Sequence, residues 1–80
     1  VSNQNSFRIF PNPASKNISI LSLWNGSIKY EIFDMMGRKI LQGSFFKEIS
    51  VDIETLSDGN YILHFQSNDK IEHFKIVVKK

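Results

Sequence analysis

Apolar and polar residues alternate with a period of two along most of this chain. Ile18 and Ile20 alternate with Asn17 and Ser19, Ile28, Tyr30 and Ile32 with Lys29 and Glu31, and Ile49, Val51 and Ile53 with Ser50 and Asp52. Further on, Tyr61, Leu63 and Phe65 are spaced by Ile62 and His64, and Phe74, Ile76 and Val78 by Lys75 and Val77. Successive side chains of a strand point to opposite faces, so each run predicts a strand with one buried face. The runs are rich in β-branched and aromatic residues, which suit a pleated, half-buried surface. Turn chemistry separates them: Asn25-Gly26, Asp34-Met-Met-Gly37, Ser57-Asp58-Gly59 and Ser67-Asn-Asp69. Gly37 and Gly59 each follow a turn-prone stretch, where a positive φ closes the turn without a Cβ clash. The pattern predicts strands at about 7–10, 17–23, 28–34, 38–43, 46–53, 60–66 and 70–78, with no helical window between them. Ile18, Ile20, Tyr30, Ile32, Val51, Tyr61, Leu63, Phe65, Phe74 and Ile76 should face inward.

Short strands at this spacing imply an antiparallel sandwich. In Leu56-Ser-Asp-Gly-Asn-Tyr61 a leucine, a turn and a tyrosine lead into a strand. This is similar to the tyrosine corner of immunoglobulin-like domains, in which the phenol hydroxyl bonds upstream backbone. The expected fold is therefore all-β, a seven-stranded antiparallel immunoglobulin-like β-sandwich.

Composition narrows the function without naming it. Eighty residues make one domain, 41% apolar and 22% charged, with ten basic against eight acidic side chains. A net charge of +2 with no basic run among aromatics gives no ground for nucleic-acid binding. The absence of cysteine argues against a disulfide-stapled secreted domain and suits a cytosolic protein or a bacterial surface module. No apolar run approaches the roughly 20 residues of a spanning helix. Val1–Ser6 is polar, lacks an initiator methionine and reads as the end of a linker, so residues 7–80 are expected to be one module of a longer polypeptide.

Candidate chemistry is sparse. His64 and His73 lie on separate strands without convergent carboxylates or cysteines, and are expected to face solvent. Asp52 and Glu54, two apart, read as solvated charges rather than a catalytic pair. Ser57, Asp58 and His64 lack a nucleophile elbow or oxyanion loop, and Asp58-Gly59 lacks the alternating acids of a calcium loop. Asn17-Ile-Ser19 and Asn25-Gly-Ser27 match a glycosylation acceptor pattern that arises often by chance. Trp24, Phe45 and Phe46 are expected to close the mouth of the sandwich rather than form a sugar-stacking platform. The residues give no catalytic, cofactor or metal site, and no enzyme is expected.

Local physics accounts for two further stretches. Pro11 has no N–H, so the strand arriving at Phe10 should stop there, while Pro13 keeps Asn12 out of the helical region. Asn12 is expected to fix the bend by bonding its own backbone. Asp34 should cap the turn that Gly37 closes, with Arg38 pointing outward and reaching back to it.

Four blocks stand in order: Ile9-Phe-Pro-Asn-Pro-Ala-Ser15, Ile32-Phe-Asp-Met-Met-Gly-Arg-Lys-Ile40, Val51-Asp-Ile-Glu-Thr-Leu-Ser-Asp-Gly-Asn-Tyr-Ile-Leu63 and Phe74-Lys-Ile-Val-Val-Lys-Lys80. Together they resemble the type A C-terminal sorting domain of the type IX (Por) secretion system of Bacteroidetes, over residues 9 to 80. Phe10 and Phe33 stand where tyrosine is common in that family. The resemblance implies a secretion signal that directs an attached cargo across the outer membrane. It implies an upstream cargo, covalently linked, that crosses the periplasm and ends at the outer membrane, on the cell surface or in the medium. Its implied partners are the translocon and an outer-membrane shuttle protein, and a sortase-like peptidase usually cuts ahead of the domain, which puts processing in Val1–Ser6. A monomer is expected. Candidate recognition residues are Arg38, Lys75, Val77, Val78, Lys79 and Lys80, with the chain end expected to project freely; Pro11, Asn12, Pro13, Asp34, Gly37, Gly59 and Tyr61 are structural. The alternative is a carbohydrate- or matrix-binding sandwich module of a surface protein, built on Trp24 and its neighbours.

Overall fold

The period-two runs form strands wherever they occur. The computed structural model describes residues 6–68 and 70–80, and among these there are seven strands and no helix. They are β1 (Phe7–Phe10), β2 (Asn17–Ser22), β3 (Ser27–Asp34), β4 (Lys39–Phe46), β5 (Glu48–Asp52), β6 (Gly59–Ser67) and β7 (Lys70–Val78). Two antiparallel sheets result, ordered β1-β2-β5 and β4-β3-β6-β7. The chain changes sheet between β2 and β3, between β4 and β5, and again between β5 and β6. This ordering is consistent with an immunoglobulin-like sandwich. The molecule measures 32 × 22 × 22 Å.

The core lies between the sheets and follows the alternation. Ile18 and Ile20 of β2, Ile28, Tyr30 and Ile32 of β3, and Tyr61, Leu63 and Phe65 of β6 are all buried, as are Val51 and Ile76. Phe74, expected inside, is only half-buried because β7 is an edge strand; its ring packs 5.8 Å from those of Phe7 and Phe65. Phe7 carries more of the core than the alternation indicates. It stacks on Phe65 at 3.9 Å and meets Trp24 edge-on at 4.8 Å.

Most boundaries shift by a residue or more from the expected ones, chiefly around β4 and β5, where the start of β5 moves from about 46 to Glu48. β4 continues through Phe46, three residues past the expected end at about 43. Gly43 is inside the strand because the Tyr30 ring occupies the space beside it: a Cβ there would lie 2.8 Å from the ring. The reversal into β5 falls instead at Lys47, whose φ is 73°. β5 ends at Asp52, one residue early: the Ile53 N–H still donates to the Lys16 carbonyl opposite, but the Ile53 carbonyl turns away to accept the Leu56 N–H at 3.0 Å.

Expected turn geometry is present. Gly37 has φ 87° and Gly59 has φ 152°. The Tyr61 hydroxyl donates to the Ser57 carbonyl at 2.6 Å, which makes the tyrosine corner real. The expected linker, residues 1 to 6, lies outside the described residues except for Ser6, whose carbonyl accepts the Leu23 N–H at 2.8 Å.

Candidate functional site

The topology brings the four sequence blocks to one end of the sandwich. β1 runs toward this end and stops at Phe10, after its last pairing with Ser19. β3 also ends there, with Asp34 opposite Tyr61, and β6 starts there, with Gly59 opposite Val78. The corner at residues 11–15, the turn at 34–38, the loop at 53–58 and the tail at 78–80 therefore share one surface. Ser6 and the β2–β3 loop lie at the opposite end.

The proline corner does not close on itself. Asn12, expected to bond its own backbone, instead accepts the Val77 N–H on its side-chain oxygen at 3.0 Å. The reason is proximity: Ala14 pairs with Val78 in an isolated parallel bridge, its N–H donating to Val77 and its carbonyl accepting the Lys79 N–H at 2.8 Å. Ala14 is buried in this contact. The corner thus covers the end of the β7 edge at Val77, where exposed N–H and C=O groups would otherwise invite strand pairing.

The tail is tied as well, and does not project freely. The Lys80 N–H donates to Asp58 at 3.0 Å, and its ammonium reaches the Glu54 carbonyl at 2.8 Å and the Ile53 carbonyl at 3.5 Å. Lys79 and Lys80 remain exposed. Val78 is buried, so its side chain belongs to the core, and Val77 is half-buried on the outer face of the sheet. Lys75 lies lower on the strand and is exposed.

The Asp34 turn is closed by its own carboxylate. One oxygen accepts the N–H groups of Met36 and Arg38, each at 2.9 Å, and the other accepts Arg38 Nε at 2.8 Å. These bonds hold the Asp34 carboxyl below its ordinary value, the Arg38 N–H contributing most. Arg38 thus reaches back as expected, and its guanidinium stays largely exposed. Nearby, Lys39 bonds Glu31 at 3.1 Å and lowers that carboxyl too.

Other candidate chemistry disperses or is absorbed. Trp24 is 7% exposed and Phe45 is also buried, so of the three aromatics only Phe46 is at the surface, and no stacking platform exists among the described residues. Asp52 and Glu54 do not share a strand face: Glu54 lies past the end of β5, and its N–H donates to Asp52. Ser57 and Asp58 are engaged at the end that carries the tail, whereas His64 sits within β6.

One pairing was not legible in the sequence. His64 and His73 stand directly opposite on β6 and β7, their rings 4.5 Å apart and nearly perpendicular. The Val77 N–H points outward to the corner, so its register with β6 is a non-hydrogen-bonded pair. Four residues back, His73 occupies the same kind of position, where side chains approach most closely. His73 is exposed, but His64 is half-buried and its Nε2 is covered without a hydrogen-bond partner. Among the described residues no group of three or more potential metal ligands gathers.

The surface that remains is one end of the sandwich, with Arg38, Lys79 and Lys80 exposed around a main-chain clamp. Residues 8–79 match the sequence model of a family described as the secretion system C-terminal sorting domain. No curated protein matches the chain.

Proposed function

The chain belongs to the secretion system C-terminal sorting domain family, and from that premise we propose that its blocked end, with the lysine tail, is the surface the type IX machinery reads. The family is one of sorting signals for type IX secretion rather than of enzymes, and it implies export of a linked upstream cargo. The observation that carries the finer reading is the gathering of all four blocks at one end, around a tail whose main chain is held by Ala14 and Asp58. A receptor meeting that end finds Arg38, Lys79 and Lys80 in fixed relation, whatever cargo precedes the domain.

Cargo enters from the other end, ahead of Ser6. The translocon and an outer-membrane shuttle protein would then hold the tail end after transit through the periplasm. A sortase-like peptidase cutting ahead of Phe7 would work on the far side, releasing the cargo or leaving it at the cell surface. In this scheme the domain is the monomeric 7–80 unit, and Val1–Ser6 is processed linker.

The test separates folding from reading. Removing Lys79 and Lys80 takes away their hydrogen bonds to Ala14, Asp58, Glu54 and Ile53 but almost no apolar burial, so stability should fall by about 1–3 kcal/mol. Lys79→Gln with Lys80→Gln keeps the main-chain bonds and removes the two charges, together with the Lys80 ammonium contacts to Glu54 and Ile53. In a host with a type IX system, both variants of a reporter fusion should fold yet accumulate in the periplasm. Normal secretion of a folded, trimmed fusion would move recognition elsewhere on the sandwich.

A further inference from the structure

Two side chains at the same end are spent on nothing in the fold. Met35 and Met36, the only methionines of the chain, occupy the tip of the β3–β4 turn and are 60% and 81% exposed. Turn tips are ordinarily Asn, Asp, Gly or Ser, which suit the local backbone and water. Nothing in this turn needs methionine, because Asp34 supplies the closure. Its carboxylate takes the N–H groups of Met36 and Arg38, its carbonyl takes the Gly37 N–H at 3.0 Å, and its own N–H donates to the Arg38 carbonyl at 3.0 Å.

The consequence is a rigid platform carrying two adaptable apolar arms. Main-chain rigidity lowers the ordering penalty on binding, and an unbranched thioether moulds itself to an irregular pocket. The turn is also well placed. Asp34 is opposite Tyr61, which is opposite Ile76 on β7, so the turn stands two strands from the strand that bears the tail, about 10 Å across the sheet. One partner can span both.

We propose that Met35 and Met36 form a knob that seats in an apolar pocket on a protein of the export machinery, whose anionic rim takes Lys79 and Lys80. This rests on the sorting-signal reading and adds a second contact to it. A membrane surface fits less well at the tip itself, because the two cations beside the knob are paired within the domain and the free lysines stand about 10 Å away across the sheet. Arg38 is paired with Asp34 at 2.8 Å, and Lys39 with Glu31 at 3.1 Å. A tip bearing two methionines and little free charge has weak attraction for anionic headgroups.

The experiment uses the reporter fusion and two polar pairs, Met35→Ser with Met36→Ser and Met35→Gln with Met36→Gln. Asp34 keeps its bonds in both, so melting temperatures should stay within about 4 °C of the parent. Secretion should fall on the order of tenfold or more, since two buried methionines supply at least that factor in affinity. The chain carrying photoreactive methionine, mixed with outer membranes of a type IX host and irradiated, should give an adduct that mass spectrometry identifies as a translocon protein. Secretion unchanged in either folded variant overturns the knob while leaving the sorting reading intact, provided the parent fusion is exported. Failure of the parent fusion overturns the sorting reading itself. Adducts confined to lipid, or methionine-dependent binding to phosphatidylglycerol vesicles, also overturn the protein pocket.

Discussion

Single residues set the limits of this fold through their backbones and their nearest neighbours. Gly37, at φ 87°, has open space where a side chain would begin, so alanine there meets only backbone strain, about 1 kcal/mol. Gly43 is the reverse: its backbone is ordinary, but a Cβ would strike the buried Tyr30 ring. Gly43→Ala should cost about 1–3 kcal/mol, the range for overpacking a core, and chemical denaturation should rank it at or above Gly37→Ala. Equal stability of Gly43→Ala and the parent would show that Tyr30 moves aside freely. Asp34 adds a pH dependence whose sign follows from its depressed carboxyl. Its contribution is fully present above the ordinary value of 3.8 and is lost as pH falls through the lower folded value. Asp34→Asn should therefore flatten that part of the acid limb in thermal melts, and an unchanged limb would assign the acid loss to other carboxyls.

At the scale of elements, the edge strand β7 depends on a partner from the opposite end of the sequence. The corner protects Val77 and Lys79 with three contacts, while the main-chain groups of Ile71, His73 and Lys75, which also point away from β6, depend on lysine charge to discourage pairing. Asn12→Ala should remove one exposed bond, with a loss of about 1 kcal/mol or less. Amide exchange at Val77 should accelerate much more than at Leu63 in the middle of the sheet. If Val77 exchange is unchanged, the Ala14 bridge alone holds the strand end. The tyrosine corner does similar work between sheets, anchoring the 53–58 loop on which Lys80 rests.

The whole molecule has a polarity that neither residue nor element shows. Ser6 lies at one end and the tail at the other, along a body 32 Å in its longest dimension. A folded reporter with a secretory signal peptide, joined ahead of residue 1, should be exported by a type IX host. The same reporter joined after Lys80 should be retained, because it would cover the end where the blocks gather. Export of both fusions alike would mean that the end surface is not what the machinery reads.

Much of this was decided by sequence alone. The strands, their inward faces, the turn held by Asp34 and Gly37, and the tyrosine corner all rest on interactions between residues close together in the chain or on a period of two. Those signals are local, and local physics is legible without a structure. The placement of Gly43 was not, because its reason is a ring on the neighbouring strand. Nor was the fate of Trp24, since an aromatic at a strand end can close a core or face water, and only the approach of Phe7 settles it. The use of Asn12 depended on a strand 65 residues away, and the anchoring of Lys80 on a loop 22 residues back. Contacts of that range are set by how two sheets stack, which alternation constrains but does not specify. The sequence marked four blocks in order; the sandwich decided that they form one surface, because three changes of sheet return their ends to the same side.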